Sequence, residues 1–262
     1  MRINYFLIAI ICSMNLIYEP LIAQKNIVSS TGTLRDKFGK KLGNLMFSTA
    51  TLKFGRIKND VIISDTIRFF NSGNKTVSLA VGKVPVHLAC KLTSTSIAPK
   101  HEGWMLIVFD ARKKNDFGFV LDRFELVTDD SLQPKKMISI TATIEESFPA
   151  MSAEDSLLAP KARCPETVFS YGSIKQGTKI IHEFTVYNDG KRDLLIQKVK
   201  SNCDCIKTGI SKLIVPSGES STLKIEFDSS GKEGSDTRKI DLYLNDYLNP
   251  DITIEIKGVI EK

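Results

Sequence analysis

Two cysteines separated by a single residue, Cys203 and Cys205 in SNCDCIKTG, are the side chains best placed in this sequence to do chemistry. Thiols so spaced can be buried or bridged for structure, can exchange a disulfide with another thiol, or can ligate zinc or copper. In an extended strand both would point to one face with Cα atoms about 6.6 Å apart. A disulfide wants Cβ atoms about 3.8 Å apart, so a bridge requires the chain to turn between them. Such a tight ring is easily reduced, which suits redox exchange better than a staple. Further metal ligands are few: His87, His101, His182, Cys90 and Cys164, none in C-x-x-C or H-x-x-x-H spacing. Structural pair, redox pair and metal site therefore remain three readings of one motif, with Cys203, Cys205, Cys164 and Cys90 as the candidates.

No other motif competes. G-x-S-x-G, H-E-x-x-H and a glycine-rich phosphate loop are all missing. SGKEGSD, residues 230 to 236, lacks the P-loop spacing and reads as a hairpin turn. No catalytic residue and no cofactor is expected, and the chain reads as a non-enzyme. Trp104 falls on an expected strand and reads as packing.

The cysteine arithmetic depends on compartment. The start, MRINYFLIAIICSMNLIYEPLIAQ, has a positive Arg2, an apolar run from Tyr5 to Tyr18, a breaker at Pro20 and small Ala23. That is the pattern of a signal peptide over residues 1 to 23, cut before Gln24. The run is short of the about 20 apolar residues a membrane span needs, and an uncleaved anchor is the runner-up. Nothing else in the sequence could span a bilayer, so no membrane span is expected after leader removal. The expected location is the periplasm, the cell surface or the medium. Removing Cys12 leaves four cysteines in an oxidising compartment, which permits three full pairings. The net charge of +6 over 262 residues is spread out rather than gathered into a basic face, so nucleic acid is not an expected partner.

The elements that hold the cysteine pair come from a duplication. FGRIKNDVIISDTIRFFNSGNKTVSL, from Phe54, parallels YGSIKQGTKIIHEFTVYNDGKRDLLI, from Tyr171. Gly55 and Gly172 lie 117 residues apart (172 − 55), as do Gly73 and Gly190 (190 − 73). Further on, Pro134 and Pro250 lie 116 apart (250 − 134), so the register holds with one residue gained and others lost. Within each copy apolar residues alternate: Ile180, His182, Phe184 and Val186 share one face, as do Leu223, Ile225 and Phe227. Half-buried antiparallel strands alternate in this way, and NSGN, NDGK and PSGE supply the turns between them. The expected fold is all-β, two tandem β-sandwich domains at residues 49–147 and 166–262. Proline-rich residues 148–165 read as a linker. Residues 24–48 read as a lead-in, in which Leu34, Phe38, Leu42 and Leu45 could form a short apolar helical stripe.

The second copy resembles the bacterial domain of unknown function 1573 family. The resemblance is carried by Phe169, Tyr171-Gly172, Ile174, Gly177, Phe184, Val186, Asn188 and Gly190, then Cys203-Asp204-Cys205, Pro216, Gly218 and Phe227. It implies an immunoglobulin-like sandwich, similar to major-sperm-protein-type domains, in an exported protein. Gly172, Asn188, Gly190, Pro216 and Gly218 are then structural positions. The family usually has glycine where this chain has Asp204. It implies no catalysis and no cofactor. The expected role is a binding or assembly module of the cell envelope whose partner is another envelope or secreted protein. The alternative is a thiol-based redox or metal-handling protein. In the first copy, Val86, His87 and Leu88 align with the cysteine motif, which would make both cysteine positions replaceable by buried apolar side chains.

Overall fold

The computed structural model describes residues 37–262, so the leader and Leu34 lie outside the described residues. Two β-sandwiches follow one another. In the first, one sheet has the order β1 (Lys40–Leu42), β2 (Leu45–Phe47), β4 (Ile62–Asn71), β8 (Glu102–Asp110) and β6 (Leu88–Leu92). It faces a sheet ordered β3 (Thr51–Lys58), β10 (Lys135–Glu145), β9 (Gly118–Thr128), β5 (Val77–Val81) and β7 (Ser96–Ile97). In the second, β11 (Ala162–Arg163), β13 (Lys179–Asn188), β17 (Ser220–Asp228) and β15 (Ile206–Ile210) face the other sheet. That sheet is ordered β12 (Val168–Lys175), β19 (Asp251–Glu261), β18 (Gly234–Leu244), β14 (Leu194–Ser201) and β16 (Ile214–Val215). Apart from the extra β1, the two strand orders are the same, copy for copy. Each copy also carries one parallel pair, β3 with β10 and β12 with β19, in an otherwise antiparallel pattern.

Alternation explains the cores. Phe184, Val186, Leu223, Ile225 and Phe227 point inward and are buried, as their spacing requires. Ile67, Phe69, Met105, Ile107 and Phe109 do the same in the first sandwich. Each core is locked by a buried asparagine, at the end of β4 in the first sandwich and of β13 in the second. Asn188 Nδ2 donates to the carbonyls of Arg192 and Val215, both at 2.8 Å, while Oδ1 accepts from Gly190 N at 3.0 Å. Asn71 repeats this with Lys75, Ile97 and Gly73.

Two boundaries differ from the sequence reading. The lead-in does not extend to residue 48: Phe38, Leu45 and Phe47 are fully buried, and β2 pairs with β4. The expected helical stripe is a hairpin there, because Gly43 takes φ +62° and turns the chain between β1 and β2. The linker likewise ends early, since β11 at Ala162–Arg163 already pairs with β13. Between the sandwiches lies a short helix, α2 (Ala153–Leu158), capped by Ser152; a shorter one, α1 (Ala111–Lys114), follows β8.

Gly218 takes φ +77° with no atom within 4 Å of a Cβ built on it, so only backbone strain opposes a side chain there. Its structural counterpart is Lys100, at φ +63°: the amides of both donate to the carbonyl of their copy's asparagine at 2.9 Å. Gly218→Ala should therefore lower stability by about 1 kcal/mol without unfolding the domain, read as a modest fall in the urea midpoint.

Candidate functional site

The chain does turn at the cysteine motif. Cys203 and Cys205 form a disulfide with Cα atoms 5.1 Å apart, in a turn that joins β14 to β15. Two backbone bonds close this turn: Ile206 N donates to Cys203 O at 3.2 Å, and Asp228 N donates to Cys205 O at 2.9 Å. Cys205 N also donates to Cys203 Sγ at 3.1 Å. Both cysteines are half-buried and Asp204 is exposed. Asp204 therefore stands at the solvent side of the turn, where the family's usual glycine is not required. A small cavity of about 280 Å³ opens beside the turn, lined by Asp204, Cys205, Lys207, Glu226, Asp228 and Ser230. The Ser230 hydroxyl and amide hold the Asp228 carboxyl below its usual range, with Lys179 and Lys207 adding to the effect.

The first copy corrects the alignment of the motif. Leu88 pairs with Phe109 as Ile206 pairs with Phe227, so Leu88 corresponds to Ile206 rather than to Cys205. The turn before it repeats both closing bonds: Leu88 N donates to Pro85 O, and Asp110 N donates to His87 O, each at 2.9 Å. Pro85, Val86 and His87 thus occupy the places of Cys203, Asp204 and Cys205. The extra residue of the second copy lies upstream of the turn. Valine and leucine do not replace the cysteines, and the comparison no longer supports reading them as buried apolar residues. It supports something else: the turn closes without a disulfide. On the chain-entropy relation, a bridge across so short a loop stabilises by about 1.6 kcal/mol, roughly half the value for a fifteen-residue loop.

His87, in the place of Cys205, is buried and meets the Asp122 carboxylate at 2.9 Å; Lys114 Nζ reaches the same carboxylate at 2.8 Å. This cluster was not legible as such, because its three members come from a turn, a helix and a strand. The structure does not bring the four candidate cysteines together as one site. Cys90 and Cys164 are free and half-buried. Cys164 Sγ donates to Glu166 O at 3.0 Å. Among the described residues, no group of three or more His, Cys, Asp or Glu side chains is arranged to hold a metal ion. Burial raises the Cys164 thiol and pushes Cys90 up to about 11. Cys90 should then alkylate with iodoacetamide at pH 8 about a hundredfold more slowly than an ordinary thiol, with the rate still rising above pH 10; mass-resolved alkylation across pH checks this.

Gly172 takes φ +70° at the irregularity where β12 leaves regular register with β19. Gly190 admits no side chain, since a Cβ would fall 2.3 Å from Ala159 O. Pro216 O accepts from Glu219 N in the turn that carries Gly218.

Two further features were missed. A cavity of about 690 Å³ lies between the linker and the second sandwich, its walls including Phe148, Met151, Pro160, Leu195 and Tyr247. Beside it Leu213, Ile214 and Leu248 are exposed, and β16 is the outermost strand of its sheet. The two sandwiches also grip one another. Phe117 stacks on Tyr243 at 5.6 Å, Lys200 Nζ donates to Phe117 O at 2.5 Å and pairs with Asp116 at 3.0 Å, and Gly118 leaves the room that Tyr243 fills.

Strand order and the parallel edge pair define each half as an immunoglobulin-like β-sandwich. Residues 162–260 match the model of the family described as "Protein of unknown function (DUF1573)". A crystal structure of a protein of unknown function from Porphyromonas gingivalis W83 is similar over 83% of this chain and 100% of that one, with 17% identity and a TM-score of 0.59. That likeness shows the tandem fold. A PapD-like domain of human CEP192 is more distant, at 10% identity and a TM-score of 0.32, over 44% of this chain and 93% of that one. No curated protein matches the chain in sequence.

Proposed function

We propose that the protein is an exported, non-enzymatic binding module of the bacterial cell envelope that holds another envelope or secreted protein. The observation that carries this reading is the apolar margin of the second sandwich. Leu195 and Ile214 face each other across β14 and β16, and Leu213, Tyr247 and Leu248 are exposed nearby, beside the linker cavity. An apolar margin on an end strand suits an extended segment of a partner, which gains backbone bonds from the strand and buries alternate side chains. The absence of enzyme motifs and the leader-like start support the non-enzymatic and exported parts of the reading.

The test is capture of partners from envelope extract under mild crosslinking, with the wild-type protein and with a Leu195→Asp, Ile214→Asp double variant. Both substitutions are on exposed positions, so the fold is retained. A partner held by the wild type and lost at least fivefold in the variant supports the reading. Recovery of no partner, or equal recovery by both proteins, counts against it.

A further inference from the structure

The Cys203–Cys205 bridge is a feature that docking at β16 does not use. We infer that it is a thiol–disulfide exchange site, with Cys205 as the sulfur attacked, whose substrate is a cysteine thiol in an extended peptide segment. Three observations lead there. The bridge does no necessary structural work, because the first sandwich closes the same turn through the same two backbone bonds with Pro85 and His87. The bridge is reachable: its two cysteines are half-buried, and Cys205 lines the cavity while Cys203 does not. A leaving group is provided for. Cys203 Sγ already accepts a hydrogen bond from Cys205 N at 3.1 Å, and an amide donor stabilises a thiolate more than a disulfide sulfur.

The strand after the turn supplies a track for the substrate. β15 is the outermost strand of its sheet; Lys207, Thr208 and Gly209 are exposed along it, and Gly209 has open space where a side chain would stand. A peptide added beside β15 would carry its own cysteine toward Cys205.

The exchange balances without an outside oxidant. A substrate thiolate attacks Cys205 Sγ, the sulfur–sulfur bond breaks, and its electron pair leaves on Cys203 as a thiolate. A second thiolate of the same substrate then attacks the substrate sulfur of the mixed disulfide and expels Cys205. The substrate dithiol loses two electrons and becomes a disulfide. Cys203 and Cys205 gain those electrons, and the two protons released by the substrate thiols pass through water to them. Cys90 and Cys164 take no part, since burial disfavours their thiolates.

The test uses the full chain in its oxidised form and a synthetic peptide carrying two cysteine thiols. Intact mass should show the protein gaining two hydrogens, mapped to Cys203 and Cys205, as the peptide loses two. With a peptide carrying one thiol and an acid quench, the mixed disulfide on the wild type should sit on Cys205 at least tenfold more than on Cys203, while the variants Cys203→Ser and Cys205→Ser read the fold without the bridge. Both variants should stay folded, with melting temperatures lowered by no more than the loss of about 1.6 kcal/mol implies, about 6–13 °C for a domain of this size. A bridge that stays oxidised in excess peptide overturns the inference, as does equal adduct formation on the two sulfurs. Variants that unfold also overturn it, because the bridge would then be a staple. Partner capture through β16 is read separately and is indifferent to these outcomes.

Discussion

Lys136→Met should destabilise the first sandwich by about 3–5 kcal/mol, the usual consequence of removing one partner from a buried ion pair. Lys136 and Asp130 are both buried, with Nζ 3.0 Å from the carboxylate; Nζ also donates to Thr128 Oγ1 at 2.9 Å and Gln133 O at 2.5 Å. Asp130 in turn ties the start of the sandwich to its end, accepting from Asn44 N at 2.7 Å and Leu132 N at 3.1 Å. Burial pushes the Asp130 carboxyl up, but the Asn44 amide, Lys136 and the Leu132 amide more than offset this and leave it below its usual value. Its stabilising contribution is therefore complete above the unfolded carboxylate's pKa, about 3.9, and fades as pH falls through the lower folded value. In the variant the carboxylate loses its cation, its folded pKa rises, and the gap between wild type and variant should narrow in acid. Urea titrations at neutral and acid pH read both effects.

The second sandwich shows how the same carboxylate is kept without a lysine. Asp246 is buried, accepts from Ala162 N and Leu248 N, and is met by Asn249 Nδ2 at 3.3 Å, while Ile252 stands where the first copy has Lys136. Adding Gln133→Asn and replacing Lys136 by isoleucine instead of methionine should recover part of the loss. If Lys136→Met costs under 1 kcal/mol, the pair is not holding the two ends of the sandwich together.

Asn188→Ala should be nearly as damaging in the second sandwich, at about 3–5 kcal/mol. The substitution orphans the carbonyls of Arg192 and Val215 and the amide of Gly190 in a site the side chain fills completely, each worth about 1–3 kcal/mol when buried and unpaired. Asn188→Asp should be almost as poor, because Oδ1 keeps its donor but the second oxygen faces two carbonyls. Because Asn71 makes the matching bonds, Asn71→Ala offers the same measurement in the other half of the chain. A loss below 1 kcal/mol at both positions would mean that water or a shifted backbone takes over these bonds.

The sandwich strands were legible because burial on one face forces a period of two, and residues such as Phe184, Val186, Ile225 and Phe227 obey it. The duplication was legible through Gly55, Gly73, Gly172 and Gly190, two of which take the left-handed conformation in corresponding places. Position of the inserted residue was not, since a loop carries no alternation and Val86 and Leu88 look as suitable as Pro85 and His87. Lys136 could have been found: it shares a face with Ile138, Ile140 and Ala142, all buried, and a charge in that register needs a partner. The hairpin at residues 40–47 was hidden by Leu42 and Leu45, whose spacing suits a helix as well as a turn. The linker cavity and the β16 margin could not be read, because their walls come from segments joined only by folding.

The grip between the sandwiches also sets an order of events. Phe117 and Asp116 belong to the first sandwich, whose own last strand ends at Glu145, whereas Lys200 and Tyr243 arrive 83 and 126 residues after Phe117 (200 − 117 and 243 − 117). Domains made from the N-terminus tend to fold as units as they emerge. The first sandwich therefore completes itself with one aromatic ring still uncovered, and that ring is claimed only when β18 of the second is in place. Lys200 lies on β14, three residues before Cys203 (203 − 200), so the strand seized in that final step is the one that leads into the cysteine turn. The contact closes last in synthesis, and a pull that separates the halves loads it first.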